Sequence, residues 1–538
     1  MNPGPRVRGS WGDAKKRSRQ ALDGAGLHEP AHHHQIFDVV AIRGGDGRTR
    51  ASVASTAVAW YGRSMRRLTV LCALFLFAAL ATVSPPAGAA RPPADRIANV
   101  PWRSAGRASA PTPGGASTLR HDGAAPSAPG PRAMRPAPRP ASERLGTRTP
   151  TADGLDADLM GPNPLVSPGD PTGATGPTSV VAAVNVRVGV YDRTGAELLA
   201  PLRLRSMSSQ LAGLNETDPK VFYDAYDDVF VLTFLVYDSS EGFIEVVTIP
   251  SATADDTGTW CRTHMVGDQV HNGTHEFADY PSIGFTANRV VVTTNNFGFN
   301  NGPFRYAQVI SMPKSALYND PTCTKTVPIK VLAGAKTKNP DGSKAFTLQA
   351  AQSVGGAPTD QFLVSLEPKA TSAKLVLWRL RIVNGNLTVS KTAKAVKRVA
   401  LPPYGYQCDS TNKSNTWWDT GDLRLTSAFY DAGTNRLYAA TAVAGNAGGG
   451  PQESVIRWYE AAPKNRFGRS NVVREGTVGA ANHDAAWPAL ATNDVGTLFL
   501  GYARGGPNEC LGIWAATVSA GSGTAAQTSL IAAGGARY

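Results

Sequence analysis

Four aspartates stand just ahead of strand-like runs: Asp218, Asp279, Asp422 and Asp484. If those strands radiate from a common axis, the carboxylates crowd one end of a central channel. Like charges so placed repel unless they bind a cation or a polyol, and hard oxygen donors suit calcium. Calcium near Asp218, Asp279 and Asp422 is therefore the metal this pattern admits. The competing reading is that each Asp accepts N–H bonds within its own turn. Arg424 stands beside Asp422, and Trp417 and Trp418 come shortly before it. Aromatic faces stack on sugar rings and an Asp/Arg pair hydrogen-bonds hydroxyls, so this is a candidate sugar platform. Tryptophans packed between sheets are the alternative. His271, His275, Glu276 and Asp279 offer metal-ligand types, but on a Gly-containing loop rather than the helix a metalloprotease pair needs. No catalytic residue is assigned: the sequence has neither a Gly-x-Ser-x-Gly elbow nor a phosphate loop.

These residues are positioned by a repeated hairpin. Asp218-Pro219-Lys220-Val221-Phe222-Tyr223-Asp224-Ala225, followed by the apolar run 229–233, reads as turn, strand, turn and strand. Ser427-Ala428-Phe429-Tyr430-Asp431-Ala432 repeats it. Relatives are Asp279-Tyr280-Pro281-Ser282-Ile283-Gly284 and Trp487-Pro488-Ala489-Leu490-Ala491. Pro281 follows Pro219 by 62 residues, and Pro488 follows Thr426, the aligned position, by 62. The gap of 145 between Pro281 and Thr426 fits two modules, with a degenerate copy at 346–351. A period of about 65 residues with four strands each predicts an all-β fold, a β-propeller of about five to six four-stranded blades. The last copy runs into Gly521-Ser522-Gly523-Thr524. Either the hairpin at 180–199 completes the final blade, or the propeller is incomplete at its C-terminal side.

The rest of the chain divides by composition. Residues 1–64 read as a disordered leader that is not necessarily translated. Met65-Arg66-Arg67, an apolar core over 68–83 and Ala87-Gly88-Ala89-Ala90 form a secretory signal over 65–90, with cleavage near Ala89 or Ala90. The Pro/Ala/Arg-rich stretch 91–175 reads as a disordered linker, and 176–538 as the propeller domain. Of the 538 residues, the first 175 carry 22 Lys and Arg against 12 Asp and Glu, and the remainder 32 against 29. The net charge of +13 therefore belongs mostly to the tail, and a nucleic-acid partner is not expected. Cys72 lies in the signal. Cys261, Cys323, Cys408 and Cys510 remain, without a Cys-x-x-Cys pair, which suits two disulfides in an oxidising compartment. Three pairings are possible; contact between neighbouring modules favours Cys261–Cys323 and Cys408–Cys510.

The chain resembles secreted bacterial β-propeller proteins of the sialidase-like superfamily. The resemblance rests on Val181-Ala182-Ala183-Val184-Asn185, Val190-Tyr191-Asp192-Arg193-Thr194-Gly195 and the proline-containing copies above, over roughly 176–510. Thr253-Ala254-Asp255-Asp256-Thr257-Gly258-Thr259-Trp260 is similar to the rim turn of that superfamily, with Thr257 where glycine is usual. The resemblance implies the fold. A sialidase site would want three arginines, a tyrosine nucleophile and an acidic partner, and Arg203 and Arg205 stand in an unmatched context. The expectation is a secreted, monomeric binding module for an extracellular glycan or protein, without a membrane span once the signal is removed. The alternatives are a glycosidase-like hydrolase using the axial carboxylates, and an adhesion or scaffold protein.

Overall fold

The computed structural model describes residues 170–534, apart from 256–257, 270–274, 300–301, 370, 407, 409–416, 448–451, 494–495 and 523–526, and the backbone of Trp102–Ser104. The leader, the signal segment with Cys72, nearly all of the linker and His271 lie outside the described residues.

Consecutive strands fold into four-stranded antiparallel units in a β-propeller arrangement. The first unit is Thr172–Thr175, Ser179–Val184, Arg187–Asp192 and Glu197–Arg203. The second is Asn215–Asp224, Val229–Tyr237, Gly242–Pro250 and Cys261–Val266, with Trp102–Ser104 added in parallel on its outer edge. The third is Glu276–Phe285, Arg289–Gly298, Phe304–Pro313 and Lys330–Leu332. The fourth is Gln349–Ala350, Gln361–Pro368, Ala373–Val383 and Asn386–Val396. The fifth is Ser427–Asp431, Arg436–Gly445, Glu453–Ala462 and Asn471–Val478. The sixth is Asp484–Thr492, Leu498–Gly506, Glu509–Val518 and Gln527–Ala532. A short strand, Gln352–Val354, runs parallel to the first strands of the third and fifth units and joins them into one sheet.

Two expectations about boundaries change. Order reaches back to the strand Thr172–Thr175, inside the stretch assigned to the linker. The hairpin at 180–199 pairs with that strand rather than with the end of the chain, and the sixth unit draws its fourth strand from its own sequence.

Second strands such as Val229–Tyr237 are apolar almost throughout because neighbouring units cover both of their faces. Five apolar clusters fill the successive joints. They are centred on Val190 and Phe234, on Phe222 and Ile283, on Val291 and Trp378, on Phe362 and Tyr459, and on Tyr438 and Leu500.

The proline-containing copies are β-bulges. Register skips between Thr217 and Lys220, between Asp279 and Ser282, and between Ala486 and Ala489. The residue before each proline is left-handed: Asp218 (φ +53°), Tyr280 (+48°) and Trp487 (+56°), with Asp170 (+40°) before Pro171 and Thr347 (+49°) at the degenerate copy. Proline has no N–H to strand at such a bulge. The displaced N–H of the left-handed residue finds its acceptor on the preceding unit. Asp218 donates to Asn185 Oδ1 (2.8 Å), Tyr280 to Asp218 Oδ2 (3.1 Å) and Thr347 to Asn295 Oδ1 (2.9 Å). Two residues past the left-handed Asp170 and Tyr280, and at Ser427 on the first strand of the fifth unit, a hydroxyl accepts an N–H of the next unit: Val221 to Thr172 Oγ1 (3.2 Å), Ala350 to Ser282 Oγ (3.1 Å) and Leu490 to Ser427 Oγ (3.3 Å). Disulfides Cys261–Cys323 and Cys408–Cys510 complete the cross-links, in the favoured pairing.

Asn295 is 1% exposed and also donates to Thr347 Oγ1 (2.7 Å), so it holds a β-branched residue in a left-handed conformation. Asn295→Ala leaves two buried groups without partners and is expected to lower stability by about 2–4 kcal/mol, read from urea unfolding.

Candidate functional site

The left-handed positions lie near the start of the first strands, the end at which the chain arrives from the preceding unit. Side chains from four units meet there around Tyr280. The Arg424 guanidinium lies 4.4 Å from the Tyr280 ring centroid and 5.3 Å from that of Phe346. The Lys220 ammonium is 5.0 Å from the same tyrosine ring. Arg424 is held by Asp422 through Nε (3.0 and 2.9 Å) and Nη2 (2.7 Å), and Asp422 Oδ1 also accepts the Arg424 N–H. Burial pushes the Tyr280 phenol above its usual range. Asp422 and Asp170 add to this shift, while Lys220 and Arg424 oppose it, so the hydroxyl is a neutral donor at physiological pH.

The predicted aspartates are separated in role. Asp218 accepts the Tyr280 N–H through Oδ2 and the Thr217 hydroxyl through Oδ1 (2.7 Å), so it serves the bulge joint. Asp279 is paired with Asn295 across its own strand hairpin. Asp484 is 4% exposed and spends both oxygens on backbone: Tyr406 N–H on Oδ2 (3.0 Å) and Ser454 N–H on Oδ1 (2.8 Å). Burial raises its pKa against those two bonds. Among the described residues no group of three or more His, Cys, Asp and Glu is placed to hold a metal ion, so Asp218, Asp279 and Asp422 do not form the expected calcium cluster. His275 instead faces Asp268 (3.7 Å). Arg203 and Arg205 both pair with Glu216 at the first joint.

The two tryptophans part company. Trp418 is 5% exposed, packs with Ala442 and Ala486, and donates to the Tyr406 carbonyl (3.1 Å), which makes it core. Trp417 is 54% exposed and stacks on Tyr404, itself 58% exposed, with ring centroids 5.9 Å apart and planes 16° apart. Trp487, the left-handed residue of the sixth unit, is 43% exposed and donates from its indole to the Asp419 carbonyl (3.0 Å). Its ring passes over Gly421, where a Cβ would stand 3.1 Å from it. Three exposed aromatics therefore belong to the 404–421 segment and the bulge docked on it, and Asp422 and Arg424 follow directly in the chain. Tyr280, Phe346 and Trp487 entered the sequence reading only as parts of the repeat, and Tyr404 not at all; none was a site candidate. For Tyr280 and Trp487 the readable signal was the position before proline, which the bulge turns away from its own ladder; Phe346 and Tyr404 carry no such mark.

No protein-family model matches the chain, and no curated protein matches it. Among solved structures it is similar to the GH93 alpha-L-arabinofuranosidase of Fusarium graminearum (11% identity, 65% of this chain and 92% of that chain, TM-score 0.34). It is similar to the parainfluenza virus 5 hemagglutinin-neuraminidase ectodomain (9% identity, 68% and 79%, TM-score 0.36). It is also similar to a protein of unknown function from Dyadobacter fermentans DSM 18053 (12% identity, 59% and 83%, TM-score 0.33). Likenesses this low carry no argument about what this chain does.

Proposed function

We propose that this chain is a glycan-binding β-propeller, and that its ligand lies across Tyr404, Trp417 and Trp487 beside the Asp422–Arg424 pair. The observation that carries this reading is the exposed aromatic surface. Two indoles and a phenol held in water forfeit apolar burial worth roughly 25 cal/mol per Å². A pyranose face recovers it by stacking, while Asp422, Arg424 and the neutral Tyr280 hydroxyl supply polar partners of the kind sugar hydroxyls need. Two disulfides and the signal-like segment 65–90 support an extracellular site of action.

Hydrolysis is the second reading, because Asp422 and Asp218 both act near Tyr280. Glycoside cleavage needs a carboxylic acid and a carboxylate that can reach the scissile bond. Asp422 is engaged by Arg424, Asp218 by the bulge, and Asp484 by two backbone N–H groups. That engagement favours binding over turnover.

On a glycan array the wild-type chain is expected to give a defined set of signals. Trp417→Ala and Trp487→Ala should each weaken the best of them by about tenfold or more at an unchanged melting temperature. A silent array, or signals untouched by both variants, would turn the proposal towards a protein partner or scaffold role. Asp484→Ala is expected to lower stability by about 2 kcal/mol in urea, since it leaves two backbone donors unpaired. If that variant instead kept its stability and abolished turnover of a chromogenic glycoside, the hydrolase reading would replace the binding one.

A further inference from the structure

The near-neutral balance of the folded part conceals a segregation of charge. Residues 330–398 carry twelve Lys and Arg against three Asp and Glu, whereas 176–538 as a whole carries 32 against 29. Five of these cations, Lys338, Lys391, Lys394, Lys397 and Arg398, lie on or beside one element, Asn386–Val396, the outermost strand of the fourth unit. Lys391 and Lys394 are three residues apart on that strand, so they leave on opposite faces. Lys391 donates to the Lys338 carbonyl and holds its ammonium 5.1 Å from the Trp378 ring centroid. Lys394 donates to the Gly468 carbonyl (2.7 Å), next to Arg469. One flank thus carries Lys338 and Lys391, the other Lys394 and Arg469, and Lys397 and Arg398 continue past the strand's end.

The carboxylates nearby are committed elsewhere. Asp341 pairs with Lys369 (3.0 Å), Glu367 with Lys369 (3.1 Å) and Lys374 (3.5 Å), and Asp360 with Arg381 (2.6 Å). Glu475 accepts the Lys397 backbone N–H and faces Arg457 (3.6 Å). Among the described residues, none of the six cations just named has a carboxylate partner. Unbalanced like charges on one rim repel one another, and a polyanion removes that repulsion while releasing its own counterions.

We infer that this rim is a second binding surface, separate from the aromatic one, and that it takes a linear anionic polysaccharide. The cations flank both sides of a projecting strand, so a flexible chain can pass around it, whereas a planar bilayer meets one flank at a time. Among the described residues, none of the exposed aromatics, Tyr404, Trp417, Trp487 and Phe499, is on Asn386–Val396 or beside its cations, which leaves the bases of a single-stranded nucleic acid nothing there to stack on. Lysine outnumbers arginine there, which suits recognition of charge density rather than bidentate geometry.

The full-length chain is tested on immobilised polygalacturonate, with neutral dextran, oligothymidylate and phosphatidylglycerol vesicles alongside. Wild type is expected to bind polygalacturonate, and to weaken steeply between about 0.05 and 0.5 M NaCl as screening lengths shorten. Combined Lys338→Glu, Lys397→Glu and Arg469→Glu should weaken it by about tenfold or more. Arg193→Glu, Lys325→Glu and Arg305→Glu, the same charge change at exposed sites elsewhere, should have little effect. The basic residues 1–175 are common to both sets and cancel in the comparison. Should the rim reversals lower the melting temperature, the corresponding Gln substitutions, which remove charge without reversing it, must show the same ranking. Equal losses from both sets, no binding to polygalacturonate, or tighter rim-dependent binding of oligothymidylate or vesicles would each overturn the inference.

Discussion

A backbone N–H expelled from its own ladder must find an acceptor, and in this chain it finds one on the neighbouring sheet. The left-handed residues at Asp218, Tyr280 and Thr347 each hand their N–H to a side chain of the unit before, and hydroxyls at Thr172, Ser282 and Ser427 accept from the unit after. Each bulge is therefore unsatisfied alone and satisfied only in company. This is a directional constraint, and the apolar clusters between units, which are not directional, cannot supply it. It sets how each sheet is rotated against the next, and so which residues meet around Tyr280.

The same device explains why architecture could be read from sequence more readily than the site. Proline at 219, 281 and 488 marks a place where the ladder has no use for a donor, and its spacing carried the repeat. At the degenerate copy no proline helps, and Thr347 takes the strained conformation because Asn295 grips both its N–H and its hydroxyl. That dependence on a partner 52 residues away leaves no local trace. The first copy, Asp170-Pro171, was hidden among the many prolines of the linker. The last strand, Gln527–Ala532, was hidden by its sequence, three polar residues followed by Leu530 and Ile531, which gives no period-2 alternation.

For the site, residue type proved easier to read than residue role. Trp417 and Trp418 are adjacent in a strand, so one must face out and the other in, and sequence alone does not say which. Recurrent aspartates looked alike because each precedes a first strand. Their environments then divided them: Asp422 against a guanidinium, Asp218 at a bulge, Asp484 buried between backbone donors. Net charge misled in a comparable way. A domain-wide balance near zero is compatible with a rim of cations around Asn386–Val396, because charge acts over about a Debye length rather than over a domain.

Cys408–Cys510 joins the loop between the fourth and fifth units to the sixth across 102 residues. That loop presents Tyr404 and Trp417, and the sixth unit presents Trp487. The bond thus ties the segment that carries Tyr404 and Trp417 to the unit that carries Trp487. A disulfide closing so long a span removes conformational freedom from the unfolded chain. Under the proposed glycan-binding reading, the ligand would meet partners tied together in advance, in the oxidised state in which the disulfide forms.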